Sequence, residues 1–302
     1  MTCAPIALFV YNRPDHTRRT VEALKKNYLA SESDLIVFSD GSKTDEHADK
    51  VMEVRQYIHQ IDGFKSITIV EHEINFGLAR SIISGVTKTV EEYGRIIVLE
   101  DDMVTSSYFL TYMNEALEKY EDDDRVVSIH GYVYPVVQPL PEAFFLRGAD
   151  CWGWATWSRG WACFNRDGQF LLDELKRRQL IRAFDFNGTY LFSKMLEEQI
   201  KGSNDSWAVR WYASAFLADK LTLYPGRSLV HNIGNDNSGR HCGESAGMDV
   251  NLSSTAISLN DLNRVASQEG RQAFEYFFRQ GEMGLLGRLA RKVRALARVI
   301  SR

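Results

Sequence analysis

Residues 95–106 read RIIVLEDDMVTS. The apolar run Ile96, Ile97, Val98 and Leu99 leads straight into the carboxylates of Glu100, Asp101 and Asp102. Like charges at this spacing repel unless a cation or strong hydrogen-bond donors hold them together. Magnesium and manganese take hard oxygen ligands, typically one or two carboxylates, with phosphates and water completing the shell. A divalent-metal site at the carboxyl end of a buried strand is the chemistry these residues suit. A solvated acidic turn is the plainer alternative. A further acid, Asp40, stands in SDGS, Ser39 to Ser42. There a carboxylate can accept hydrogen bonds from a base or ribose, or simply close a turn.

The elements that must position these acids alternate along the chain. Pro5–Pro14 reads as a buried strand stopped by Asn-Arg-Pro, and Asp15–Asn27 as a helix with Val21 and Leu24 inward. Asp34–Ser42 is a second strand. Asp45–Ile61 is a helix with Val51, Val54 and Ile58 on one face. Ser66–His72 is a third strand, Asn75–Gly94 a turn and a helix, and RIIVLEDD the fourth strand. This order predicts a mostly parallel sheet covered by helices, which binds ligands beyond the carboxyl ends of its strands. Tyr11-Asn12-Arg13, Ser39-Asp40-Gly41 and Glu100-Asp101-Asp102 should then share one rim. No glycine-rich dinucleotide fingerprint follows the first strand and no GxxxxGK[ST] loop occurs, which argues against NAD, FAD and a P-loop NTPase.

The second half reads less regularly. A helix over Ser107–Tyr120 ends in the solvated acids Glu121–Asp124, and Arg125–Val133 is a strand whose His130 suits core or rim better than a ligand role. Pro135, Pro139 and Pro141 mark a loop. Trp152, Trp154, Trp157 and Trp161 crowd the block Gly148–Phe164, at spacings that suit neither a pure strand nor a pure helix. Helix signals cover Phe170–Gln199 and Ser203–Lys220, where Arg210 and Trp211 can tie the helix to the core. Extended runs follow, and then a loop rich in Gly, Asn and Ser over Asn235–Asp249.

Composition narrows the classes. The chain has 302 residues, 44% hydrophobic and 25% charged, enough for one large domain or two small ones. A net charge of -4 argues against a nucleic-acid partner. Cys3, Cys151, Cys163 and Cys242 form no CxxC pair, so the expectation is reduced thiols in a cytoplasmic protein. The apolar run Ala4–Tyr11 is short for a signal sequence, and no stretch approaches the roughly 20 residues that span a bilayer. The end of the chain differs from the rest: Gly284–Arg302 contains no acid. As a helix it gathers Leu285, Leu286, Leu289, Val293, Leu296 and Ile300 on one face, with arginines and Lys292 on the other. It reads as an anchor on the inner-leaflet membrane surface; docking on its own domain or on a second copy in a homodimer is the alternative. Residues 1–280 and 281–302 are the resulting divisions.

PIALFVYNRP, SDGS, NFGLARS and LEDD, in this order and at these intervals, resemble the GT-A nucleotide-sugar glycosyltransferases of the broad inverting family 2 group, bacterial sugar transferases included. The LEDD element is also similar to that of animal N-acetylglucosaminyltransferase I. The resemblance runs from Ala4 to His241. It implies a GT-A-like (Rossmann-like) α/β fold with nucleotide contacts from Phe9, Tyr11, Asn12 and Arg13. It puts Asp40 on the uracil or ribose, and Asn75, Gly77 and Arg80 near the donor. Asp102 becomes the first choice as metal ligand and Asp101 the second, with Glu100 near the ribose and Mn2+ or Mg2+ as the ion. A later histidine completes such sites; His231 and His241 are the candidates, and His241 is preferred for its glycine-rich loop. The base of inverting relatives stands near the start of a helix after the aromatic block, which nominates Asp205. The usual Glu-Asp pair of many members is absent in clean form, so Asp150 is the second candidate. The tryptophan block divides between two readings: some of its rings pack the core, and, since aromatic faces stack on sugar rings, Trp152 or Trp154 lines the acceptor site.

The implied reaction moves a hexosyl or N-acetylhexosaminyl group from a nucleotide sugar, a UDP-sugar by family habit. The implied acceptor is a glycan or lipid-linked glycan of surface polysaccharide synthesis. A sugar nucleotidyltransferase and a non-catalytic glycan-binding or membrane-adaptor relative are the rivals. A missing glycine-rich loop with a basic residue after the first strand weighs against the former. The intact acidic triplet weighs against the latter.

Overall fold

The computed structural model describes residues 2–235, 247–260 and 262–281. The tail over 282–302 and His241 therefore lie outside the described residues. The first half alternates as expected: β1 (Ile6–Val10), α1 (Pro14–Lys25), β2 (Asp34–Ser39), α2 (Asp45–Ile58), β3 (Ser66–Glu71), α3 (Leu78–Tyr93) and β4 (Arg95–Glu100). β1 to β4 run parallel in the order β3-β2-β1-β4. Every residue of β1 is buried, because the strand lies between β2 and β4 with helices on both faces.

The pleat sorts its side chains. Ile6, Leu8 and Val10 join Leu35, Val37 and Leu99 under Val21 and Leu24 of α1. Ala7 and Phe9 face the other way, under Ala79, Ile82 and Val86 of α3. Pro14 opens α1 at its first turn, where a missing N–H is harmless.

After β4 come β5 (Met103–Thr105), α4 (Phe109–Lys119), β6 (Val126–His130), β7 (Ala143–Arg147), β8 (Trp154–Trp157) and α5 (Ser158–Trp161). Next are α6 (Gly168–Arg177), α7 (Ile181–Phe184), α8 (Phe192–Ile200), α9 (Trp207–Leu217), β9 (Leu221–Pro225) and β10 (Val230–Asn232). Residues 268–281 are again helical. The main sheet continues β4-β8-β6-β9-β7, with β8 antiparallel to both neighbours and β7 antiparallel to β9. β5 and β10 pair separately as a short antiparallel ribbon.

The tryptophan block corrects one expectation. WATW is the strand β8, wedged between β4 and β6, and Trp154 is fully buried. Its ring packs against Trp161, Trp207 and Trp211 at 5.5–5.9 Å. Trp154 is a core residue, and its ring has no surface to offer an acceptor. Four residues are too few to display a strand period, which is why the sequence left this block unassigned. Trp154→Ala should cost about 3–5 kcal/mol of folding stability, as a large buried ring is removed. Urea denaturation measures this; a variant as stable as wild type but weak only for acceptor would return Trp154 to the site.

Candidate active site

Phe9 of β1 is level with Phe38 of β2 and Glu100 of β4. Tyr11 to Arg13, Asp40 and Asp101 to Asp102 therefore leave the sheet together, on one rim. Arg13 stands at the N-cap of α1. Its guanidinium donates to Asp101 Oδ1, to Asp101 Oδ2 at 3.4 Å and to Asp102 Oδ2 at 2.9 Å. The main chain of the acids is pinned as well. Thr20 Oγ1 of α1 donates to Asp101 O (2.8 Å), and the Ile233 N–H donates to Asp102 O (2.8 Å).

The electrostatics follow from burial. Glu100 is pushed up to about 8 by burial first and by the charges of Asp102 and Asp101 next. Burial also raises Asp101, against the opposing pull of Arg13. Arg13 itself loses hydration, but Asp101 and Asp102 outweigh that and keep it a firm cation. Asp102 is 6% exposed, and its Oδ1 has no hydrogen-bond partner among the described residues. An orphaned carboxylate oxygen at a rim is a fit for a divalent cation. No group of three His, Cys, Asp or Glu side chains forms a metal cage among the described residues. A metal held here would thus take phosphate and water as its remaining ligands, which suits Mg2+ and Mn2+.

Asp40 is nearly buried, and its oxygens are busy. Oδ1 accepts from the N–H groups of Gly41 (3.0 Å) and Phe76 (2.8 Å). Oδ2 accepts from the Gly77 N–H (2.9 Å) and from Asn75 Nδ2 (3.0 Å). A carboxylate has about four lone-pair sites, so these donors fill it. Asp40 and the Asn75–Gly77 turn thus form one unit, and Gly77 makes the turn at φ 75°, where side chains strain. Phe76 of this turn carries the His72 ring at 4.1 Å and the Arg80 guanidinium at 3.9 Å. Asp40→Ala should cost about 2–4 kcal/mol by leaving these donors unpaired, and nucleotide binding should fall with it. Asp40→Asn, which keeps one acceptor oxygen, should cost less; urea denaturation and nucleotide titration check both.

The carboxylates considered for base chemistry differ in environment. Asp150 Oδ1 accepts from the Cys151 N–H (2.8 Å), and Oδ2 accepts from Tyr224 Oη (3.3 Å). His130 lies beside it, with Nδ1 3.9 Å from Oδ2, while His130 Nε2 accepts from the Trp152 N–H (3.0 Å). Asp205 is exposed just before Ser206, the N-cap of α9, with Arg210 at 3.7 Å. Trp207 stacks on Trp154, the residue at which β8 starts at the rim, so α9 begins on the rim side. Cys151 is pushed up by burial and then by the charges of Asp150, Glu100 and Asp102.

The family described as glycosyl transferase family 2 matches residues 6–176, more than half of the chain, from β1 to α6. The chain belongs to glycosyl transferase family 2. No curated protein matches this transferase. Among solved structures, mannosyltransferase PcManGT from Pyrobaculum calidifontis, in complex with GDP-Man and Mn2+, is 13% identical with a TM-score of 0.34; the match covers 58% of this chain and 47% of that one. TarS of S. aureus is 15% identical with a TM-score of 0.31, over 48% of this chain and 24% of that one. Mannose-1-phosphate geranyltransferase from Thermus thermophilus is 12% identical with a TM-score of 0.35, over 74% of each chain. The transferase thus spans less than half of the PcManGT chain and about a quarter of TarS.

Within this family 2 transferase several sequence expectations need placing. Phe9 is 4% exposed and stacks on Phe38 at 4.8 Å under α3, so its ring is core and cannot touch a nucleotide. The inward turn of the pleat decides that. Tyr11 Oη stands 2.8 Å from His47 Nδ1 and accepts from the Lys43 N–H at 3.0 Å, which ties the rim to the start of α2. Asn12 is half-buried between Tyr11 and Arg13. Trp152 is half-buried, with its ring 4.7 Å from Tyr132. Of the candidate histidines, His231 lies 3.2 Å from Asp249 and His241 is outside the described residues.

Three residues escaped the sequence reading. Arg55 of α2 donates to His72 O (2.7 Å) and Ser39 Oγ (3.3 Å), holding the ends of β2 and β3 together. His72 and Gly234 are the others. A Cβ on Gly234 would stand 2.2 Å from Asp102 Oδ2, so a larger residue here would force the acid or the segment to shift. No local pattern marks these positions; each acts across a gap in sequence.

Burial lowers the proton affinity of His130 below its ordinary 6.5, and the Asp150 charge only partly offsets this. The unfolded chain then binds the proton more tightly than the folded one. The stability this gives is present above about pH 6.5 and is lost as pH falls through the folded value. Wild type should therefore lose more stability than His130→Gln between pH 7 and pH 5, by up to about 1.4 kcal/mol per pH unit. Denaturation of both proteins at the two pH values tests the sign.

Proposed function

We propose that this family 2 transferase moves a hexosyl or N-acetylhexosaminyl group, with inversion, from a nucleoside-diphosphate sugar to a hydroxyl of a glycan or lipid-linked glycan. A UDP-sugar is the first donor to try, and Mn2+ or Mg2+ is the ion. The observation that carries this reading is the Oδ1 of buried Asp102, without a hydrogen-bond partner among the described residues and set on the rim beside Asp101 and the Arg13 guanidinium.

Asp102 is the residue that would hold the ion, with Asp101 next to it. A divalent metal held there would supply positive charge to offset that of the departing diphosphate. Arg13 adds a fixed cation on the same side. The Asp40-organised turn and Arg80 frame the donor side of the rim. Asp205 takes the proton of the acceptor hydroxyl as that oxygen attacks the anomeric carbon. Its carboxylate is exposed and has no main-chain donor among the described residues, whereas both Asp150 oxygens already accept hydrogen bonds. Asp150 is then a structural acid that orders Tyr224 and the Cys151 main chain. Trp152, half-buried near Tyr132, remains the aromatic face for an acceptor sugar.

The acid-free tail over 284–302 supports attachment to a cytoplasmic membrane surface, where a lipid-linked acceptor would lie. No described helix is long and apolar enough to cross a membrane. Release of nucleoside diphosphate from UDP-, GDP- and CDP-sugars tests the reading, with Mn2+, Mg2+ or EDTA present. Turnover of one donor that EDTA abolishes and Mn2+ restores is the expected result. No turnover of any donor, with any ion and a mixed glycan acceptor pool, would overturn it.

A further inference from the structure

Arg13 fills the place that a diffusible cation would otherwise take between the two aspartates. Its Nη2 reaches both Asp101 and Asp102, and Nε adds a contact to Asp101. The chain at Gly234 packs onto the same two groups. A Cβ there would stand 2.2 Å from Asp102 Oδ2 and 3.0 Å from Arg13 Nη1. Asp102 is held on its other side by the Ile233 N–H to its main-chain oxygen. The oxygen left over, Asp102 Oδ1, is buried without a hydrogen-bond partner among the described residues, and an ion that reached it would sit in the company of a fixed guanidinium.

Two cations sharing one carboxylate at contact range repel, and in a buried setting water screens them little. A diphosphate reverses the sign. Its oxygens accept hydrogen bonds from a guanidinium in a bidentate geometry and also ligate a divalent ion. The Arg13 side chain is 19% exposed, so it is within reach of a ligand on the rim.

We infer that Arg13 makes metal binding conditional on the nucleoside diphosphate: it excludes the free ion and, once a diphosphate lies between, helps to hold the metal–nucleotide pair. Arg13 is a positioning residue that acts through Asp102. The inference rests on the metal-dependent reading above. Its consequence is a reciprocal coupling, since whatever the diphosphate does for the metal the metal does for the diphosphate.

The test is Mn2+ titration followed by the paramagnetic resonance of the free ion. It is run on the full chain alone and with UDP or GDP, against the affinity of the nucleotide itself for Mn2+. Wild type should bind Mn2+ weakly alone and about tenfold or more tightly with the fitting diphosphate. Arg13→Gln should bind Mn2+ alone about tenfold more tightly than wild type and gain little from diphosphate. A merely structural role would lower affinity in that variant instead. Arg13→Lys keeps one charge without the fork and should fall between; it serves if the glutamine variant does not fold. Equal Mn2+ affinity of wild type with and without diphosphate, or an affinity for Mn2+ alone no higher in Arg13→Gln and Arg13→Lys than in wild type, overturns the inference and leaves the transferase reading standing. No Mn2+ binding by wild type under any condition removes the metal-dependent reading and the inference with it.

Discussion

Asp102→Asn should lower sugar transfer by about a thousandfold or more while the protein stays folded. The change keeps the shape of the side chain and its Oδ1, but removes half of the charge pair that Arg13 now bridges. Asn is a poor ligand for a hard divalent ion, so the loss should come from metal and diphosphate together. The decisive reading is thermal. A ligand that binds only the folded state raises the melting temperature in step with its excess over Kd. Wild type should show a shift with Mn2+ plus one nucleoside diphosphate, and Asp102→Asn should show none. A shift of equal size in both proteins would remove Asp102 from the metal site. The outcome separates from simple unfolding, because the acid loop keeps its main-chain anchors to Thr20 and Ile233 in the variant.

Asp205→Ala should lower turnover by about a hundred- to ten-thousandfold, the usual yield of a positioned general base, and leave nucleotide affinity unchanged. The residue stands on the surface, so its loss touches no core contact. Arg210 stays anchored through Ser206 O and Arg166 O. Asp150→Asn is the control. It perturbs the hydrogen bonds to Tyr224 and Cys151 and should weaken folding more than transfer. The expected pattern is a kcat loss with intact Kd for Asp205→Ala and a stability loss for Asp150→Asn. The reverse pattern would move the base to Asp150. Single-turnover transfer, nucleotide titration and urea denaturation on the two variants decide between them.

The sequence by itself determined the half of the molecule that carries the acids of the rim. Four apolar runs separated by helix-period segments force parallel strands, and parallel strands put every carboxyl end on one edge. Hence Arg13, Asp40 and the Glu100–Asp102 acids could be read as one rim before any fold was seen. That the acids need a partner was legible for the same reason, because like charges after a buried strand repel; the partner the fold supplies is Arg13. The acid-free tail was equally plain, although it lies outside the described residues.

Tertiary structure alone decided which partner each acid takes. Arg13 meets Asp101 from 88 residues away, and the filled carboxylate of Asp40 depends on a turn some 35 residues on. Gly234 lies on Asp102 only because β10 returns to pair with β5. The same holds for the side chains that left the site. Phe9 faces α3 because the pleat alternates, and Trp154 is core because β8 enters the sheet between β4 and β6. A four-residue strand carries too little period to announce itself, and its partners are distant in sequence. Local pattern specifies elements and the edge they share; which oxygen keeps an unfilled lone pair depends on contacts that exist only once the chain has closed on itself.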